Sequence, residues 1–155
     1  MAIPTVGKKI PAFSVTTTAA TKLTNKDLGG APYVLYFYPR DDTPGCTLEG
    51  KDFRDQHAQF KRLKVRILGV SRDTLSSHTK FQTKYELPFE LVSDPDETLC
   101  RLFDVMKDKN MYGKKARGIE RSTFLVDAGG VLRHEWRKVK VEGHVAEVLA
   151  AAKET

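Results

Sequence analysis

Cys46 is the residue of this chain best placed to do chemistry. It follows Thr43-Pro44-Gly45. Thr43 reads as a helix N-cap offering a side-chain oxygen, and Pro44 as the first helical residue, where no backbone N–H is needed. Cys46 then falls at the third helical position, beside amides with no partner inside the helix. The field there favours a thiolate over a thiol, and the thiolate is the nucleophilic form of cysteine. Upstream, Tyr33-Val34-Leu35-Tyr36-Phe37-Tyr38 is an unbroken apolar and aromatic run, the pattern of a strand covered on both faces. Between strand and helix, Pro39, Thr43, Pro44 and Gly45 make a rigid turn, the kind of fixity a reactive group needs. Spacing alone leaves a second reading open, because a free inward-facing cysteine can be inert packing.

Other cysteine chemistries lack their second group. A thiol–disulfide oxidoreductase would show Cys-x-x-Cys, and here the segment is Cys46-Thr47-Leu48-Glu49. A cysteine phosphatase would carry an arginine six residues on, where Asp52 stands. A cysteine hydrolase would need a nearby histidine and an oxyanion hole, and no such signature is present. Of His57, His78, His134 and His144, none is at metal-ligand spacing with another or with a cysteine. No Walker or dinucleotide glycine pattern follows a strand. A non-catalytic redox sensor, in which oxidation of Cys46 only switches a surface, stays open at this point.

The elements that must position Cys46 follow from periodicity. A helix over residues 44–61 puts Cys46, Phe53 and Phe60 on one inward face, with Gly50 and His57 between them. Strands are expected at residues 13–17, 33–38, 65–70, 90–92, 122–126 and 131–136. Further helices are expected at 75–85, from an Asp94 cap to 103, and at 143–152, with a helical turn at 25–30. Asp127-Ala128-Gly129-Gly130 is a hairpin turn. This order gives an α/β domain of three layers around a central mixed sheet. At 155 residues the chain is expected to be one domain, 1–155.

The bulk properties narrow the setting. No apolar stretch is long enough to span a bilayer, and the start shows no apolar signal region. Two cysteines make no disulfide framework. A cytoplasmic protein with reduced thiols is the expectation. The net charge of +6 is densest at residues 107–121, with Lys107, Lys109, Lys114, Lys115, Arg117 and Arg121 against Asp108 and Glu120. That stretch has a single aromatic residue, Tyr112, and no nucleic-acid module, so it reads as a solvated loop. It could also serve as a positive landing surface for an anionic thiol or a partner protein.

Pro39-x-x-x-Thr43-x-x-Cys46 resembles the active-site signature of the peroxiredoxins, the thiol peroxidases. The wider context, Phe37-Tyr38-Pro39 through Thr43-Pro44-Gly45-Cys46-Thr47, resembles the peroxiredoxin Q branch, also called bacterioferritin comigratory protein. The likeness continues in Val70-Ser71-Arg72-Asp73, Leu91-Val92-Ser93-Asp94 and Arg121-Ser122-Thr123-Phe124-Leu125-Val126-Asp127. It implies a thioredoxin-like fold and a site of Pro39, Thr43, Cys46 and Arg121. By that resemblance Cys46 is the peroxidatic nucleophile and Arg121 a permanent positive charge against the sulfur and the leaving oxygen. Thr43 orients the peroxide, Pro39 shields the site, and Glu49 orients Arg121. No cofactor or metal is implied. The implied partners are peroxides and a thiol reductant (glutathione with glutaredoxin, or thioredoxin), and the implied state is a monomer.

The pattern breaks at the second cysteine. Many members of the branch carry a resolving cysteine five residues after the first, where Lys51 stands, or on the following helix, residues 75–85, which has none. Cys100 remains, on the flank of an apolar helix face, and reads as structural. The resemblance therefore implies a one-cysteine cycle resolved by an outside thiol, with Cys100 as the alternative resolving residue.

Overall fold

The computed structural model describes residues 3–111 and 113–155; Tyr112 and the Met1-Ala2 start lie outside the described residues. Strand β3 (Tyr33–Phe37) is an interior strand of a seven-stranded mixed sheet. It pairs in parallel with β4 (Arg66–Ser71), which pairs in parallel with β5 (Glu90–Ser93). Its other edge meets β8 (Ser122–Val126) antiparallel, followed by β9 (Leu132–Trp136). On the far side β1 (Ser14–Thr17) and the short β2 (Leu23–Thr24) complete the sheet, in the order β2-β1-β5-β4-β3-β8-β9.

Because strand side chains alternate, β3 feeds two cores at once. Val34 and Tyr36 face the layer of α1 (Pro44–Arg62), α2 (Leu75–Lys84) and α4 (His144–Lys153). Tyr33, Leu35 and Phe37 face α3 (Thr98–Leu102) and the N-terminal Ile10 and Phe13. All five residues of β3 are therefore buried, which is why the run reads as continuously apolar. The two parallel crossovers put α1 and α2 on one face of the sheet. The result is the expected three-layer, thioredoxin-like α/β fold.

Helix α1 buries Cys46, Glu49, Gly50, Phe53 and Phe60, and His57 on the same side is half-buried. Tyr36 stacks on Phe53 with ring centroids 4.5 Å apart. Tyr36 needs a glycine beneath it: a Cβ on Gly69 would lie 2.8 Å from its ring. The hairpin turn forms as expected, with Asp127 accepting from the amides of Gly129 and Val131 and Gly130 at φ +83°.

The main departure is the basic stretch. In place of a solvated loop it forms an antiparallel ribbon, β6 (Met106–Met111) with β7 (Lys114–Ile119). The apolar ends Met106 and Ile119 are buried in the α3-side core, and main-chain pairing carries the charged middle. Several of its cations are used internally: Lys107 pairs with Asp104 and Arg117 with Glu97. Residues 25–30 form hydrogen-bonded turns after β2, a strand too short to show a period. Helix α3 is shorter than expected, but Asp94 does serve its start, accepting from Leu99 N at 3.1 Å and Cys100 N at 2.8 Å. Among the described residues no helix is long and apolar enough to cross a membrane.

Candidate active site

Pro44 and Gly45 are the first two residues of α1, so Cys46 is at the third helical position, as the sequence implies. It points inward, and only 2% of the residue is exposed. Thr43 is the N-cap residue in backbone terms, with an extended conformation (φ −100°, ψ 154°), and its carbonyl accepts from Thr47 N. Its hydroxyl does not cap the helix. It donates instead to the carbonyl of Arg40 at 2.9 Å. The intervening Asp42 is left-handed (φ 56°), which folds the loop back and brings that carbonyl within reach. Pro39 is half-buried at the end of β3, at the opening of the same loop.

Arg121 arrives from the far side of β3, on the residue before β8. Its carbonyl accepts from Val139 N, which anchors the backbone there. The guanidinium forks: Nη2 donates to Cys46 Sγ at 3.3 Å, and Nη1 donates to Glu49 Oε1 at 2.6 Å. It passes so close to the helix start that a Cβ on Gly45 would lie 3.1 Å from Nη2. A side chain at this position would push the guanidinium aside by a few tenths of an ångström. Cys46, Glu49 and Arg121 form one connected group, with Thr43 one turn before the sulfur.

The electrostatics of the group are set by burial. Glu49 is fully enclosed, and its second oxygen, Oε2, has no hydrogen-bond partner among the described residues. Burial pushes its carboxyl up to about 7, with Arg121 pulling the other way. Arg121 is less enclosed, at 15% side-chain exposure. Burial opposes its charge, but Glu49 and Cys46 more than offset this, and it stays a cation. Lys109, from the ribbon, donates to the carbonyl of Ile119 and is held below the usual lysine range by burial and by Arg121, with Cys46 acting in the opposite sense. Besides Arg121 itself, Lys109 of the basic stretch is therefore coupled to the site, a placement the sequence did not reveal.

Cys100 is elsewhere. It is fully buried, not on a flank, and packs with Leu99, Phe103 and Phe37 on the α3 side of the sheet. Cys46 packs with Tyr36, Tyr38 and Phe53 on the α1 side. Burial, with Asp94 next, drives the Cys100 thiol far above its ordinary range.

A second cluster was not anticipated. Asp41, Asp73 and His78 bring potential metal-ligating atoms within 4.8 Å of one another. These atoms are already engaged with each other and with Tyr38, Ser71, Ser77 and Val92.

A thioredoxin-like sheet presenting a helix-start cysteine to a half-buried arginine defines a class of thiol enzymes, and the comparisons with known proteins agree. The AhpC/TSA family matches residues 6–135. The chain is 53% identical over 136 residues to peroxiredoxin Bcp of Xanthomonas campestris, covering 88% of this chain and 85% of that one. It is 48% identical over 149 residues to peroxiredoxin Bcp of Bacillus subtilis, covering 96% and 95%. Among solved structures, a cysteine-to-serine mutant of PrxQ from Xylella fastidiosa superposes with a TM-score of 0.92 at 40% identity, over 99% of this chain and 98% of that one. A Xanthomonas campestris peroxiredoxin Q structure gives 0.87 at 51% identity, over 92% and 90%. The chain belongs to the AhpC/TSA family. Within it, its likeness is to the peroxiredoxin Q, or bacterioferritin comigratory protein, branch.

Proposed function

We propose that this peroxiredoxin, a thiol peroxidase, reduces hydrogen peroxide and organic hydroperoxides at Cys46 through a one-cysteine cycle. The observation that carries the reading is the Arg121 fork between the Cys46 sulfur and Glu49. The thiolate attacks one peroxide oxygen in line with the O–O bond. An S–O bond forms, the O–O bond breaks, and the leaving oxygen takes a proton to become water or alcohol. Sulfur is oxidised to sulfenic acid and the peroxide is reduced. A fixed cation at the sulfur stabilises charge that moves from sulfur to the leaving oxygen, and it needs no rearrangement to do so. Thr43 Oγ1 donates its hydrogen bond to the Arg40 carbonyl, so its oxygen lone pairs are free to accept from the peroxide O–H. Pro39 closes the loop side against water.

The sulfenic acid then condenses with an outside thiol, releasing water and forming a mixed disulfide. A second thiol frees Cys46 and leaves as the oxidised disulfide. Glutathione with glutaredoxin, or thioredoxin, would supply these thiols to a monomeric, single-domain protein in the cytoplasm. The separate packing of Cys46 and Cys100 on opposite sheet faces favours this over a Cys46–Cys100 disulfide.

The test is intact-mass analysis of reduced protein after one equivalent of hydrogen peroxide. One added oxygen, trappable on Cys46, and steady turnover with excess thiol support the cycle. Loss of two hydrogens would assign Cys100 as the resolving residue, and oxidation without turnover would make the protein a sensor. Cys46→Ser should fold normally and lose all peroxidase activity; retained turnover would overturn the assignment.

A further inference from the structure

We propose that Asp41 and His78 are positioning residues of the peroxide site, acting through the loop that carries Thr43. The inference rests on the reading of Cys46 and Thr43 given above. His78, on α2, is fully buried, and both its ring nitrogens face oxygen. Nε2 lies 2.8 Å from the carbonyl of Val92, and Nδ1 lies 2.7 Å from Asp41 Oδ2. A carbonyl has no proton to give, so Nε2 must carry one. Nδ1 and Asp41 Oδ2 are in hydrogen-bond contact, and both side chains are buried, so the contact is a buried bridge from α2 to the loop.

Every other hydrogen bond to the Asp41 carboxylate also comes from a donor held in the scaffold. Tyr38 Oη donates to Oδ1 at 2.6 Å, and Ser77 Oγ donates to Oδ2 at 2.8 Å. The Asp41 amide in turn donates to Asp73 at 2.9 Å. This is far more fastening than a solvent-facing turn requires. Its position explains the use: Asp41 follows Arg40, whose carbonyl receives the Thr43 hydroxyl. The path from His78 to Asp41, to the Arg40 carbonyl and to Thr43 Oγ1 therefore fixes where the hydroxyl points. A loosened Asp41 would let the Arg40 carbonyl swing and leave Thr43 free to turn away from the peroxide.

The experiment compares two reactions of Cys46 in the full chain, each followed by rapid quench and intact mass. Oxidation by hydrogen peroxide uses the oriented Thr43, whereas alkylation by iodoacetamide needs only the thiolate and access. Asp41→Ala and His78→Phe should slow peroxide oxidation about 10- to 100-fold while changing alkylation no more than about threefold. Asp41→Asn should recover most of the rate that Asp41→Ala loses, because its amide can hydrogen-bond His78 Nδ1 in the same geometry. Where the larger changes prevent folding, Tyr38→Phe removes one donor at little cost in shape and should slow oxidation several-fold. Folded variants that oxidise at the wild-type rate would overturn the proposal, as would peroxide and alkylation rates that fall together. So would an Asp41→Asn variant no faster than Asp41→Ala. If wild-type Cys46 gains no oxygen, the peroxidatic reading itself falls and takes this one with it; normal oxidation in wild type and variants alike sinks only the bridge.

Discussion

Glu49 is the group whose environment makes the sharpest demand on solution behaviour. It is wholly buried, and burial outweighs its ion pair with Arg121, lifting its carboxyl from an ordinary 4.5 to about 7. The folded acid thus keeps its proton to higher pH than the unfolded one. As pH rises from about 4.5, the unfolded chain sheds this proton first, and the folded state loses stability until pH passes about 7. A difference of about 2.5 at ~1.36 kcal/mol each comes to ~3 kcal/mol, all present below pH 4.5 and gone above pH 7. Other side chains titrate too, so the quantity to measure is the difference between wild type and Glu49→Gln, which is neutral throughout. Urea unfolding followed by circular dichroism at half-unit steps from pH 4.5 to 8 gives that difference directly. It should fall by about 3 kcal/mol as pH rises, a large share of a domain's net stability. A difference that stays flat across the range would refute the reasoning: Glu49 would then be ionised throughout, with the ion pair and not burial in control.

Arg121→Ala should slow oxidation of Cys46 about 10²- to 10³-fold in stopped-flow assays. It should also destabilise, because Glu49 is left buried without its cation; adding Glu49→Gln should restore stability in urea melts but not the rate. Thr43→Val should cost about 1 kcal/mol or less in urea melts, since the hydroxyl does not cap α1, yet slow peroxide oxidation roughly tenfold. Cys100→Ser should leave peroxide turnover with thiol reductants unchanged, and with Asp94 at hand to accept from the new hydroxyl it should cost about 1 kcal/mol in thermal or urea unfolding. Turnover lost with every thiol would instead make Cys100 the resolving residue.

What the sequence disclosed was what local rules govern. The third-position placement of Cys46 needs only Thr43, Pro44 and the start of an apolar period, and the structure has it there. The strand at residues 122–126 was legible because each of its residues is buried and the turn after it is unambiguous. The β6–β7 ribbon was not, because its middle is charged and its stability comes from main-chain pairing and from cations engaged outside the ribbon. Cap preference failed at Thr43 for a related reason. The rule supposes that the hydroxyl has only the helix amides to serve, and the left-handed Asp42 offers it a carbonyl instead.

The site was legible where its members are close in the chain and hidden where they are far apart. Arg121 alone looks like a solvent-facing arginine at a sheet edge; its meaning lies in Cys46 and Glu49, 75 and 72 positions away. The resemblance supplied that residue, where spacing could not. Asp41 and His78 had neither a motif nor a period to announce them, since 37 positions and a parallel crossover separate them. They meet because β3 and β4 are neighbours, which sets the β3–α1 loop against the start of α2. That meeting also sets a physical limit on the loop. A nucleophile at a helix start can be built from four consecutive residues, but a hydroxyl aimed at its substrate needs a backbone held from outside the segment. In this chain the holding groups come from the next crossover, so the order of strands positions the site as much as the signature does.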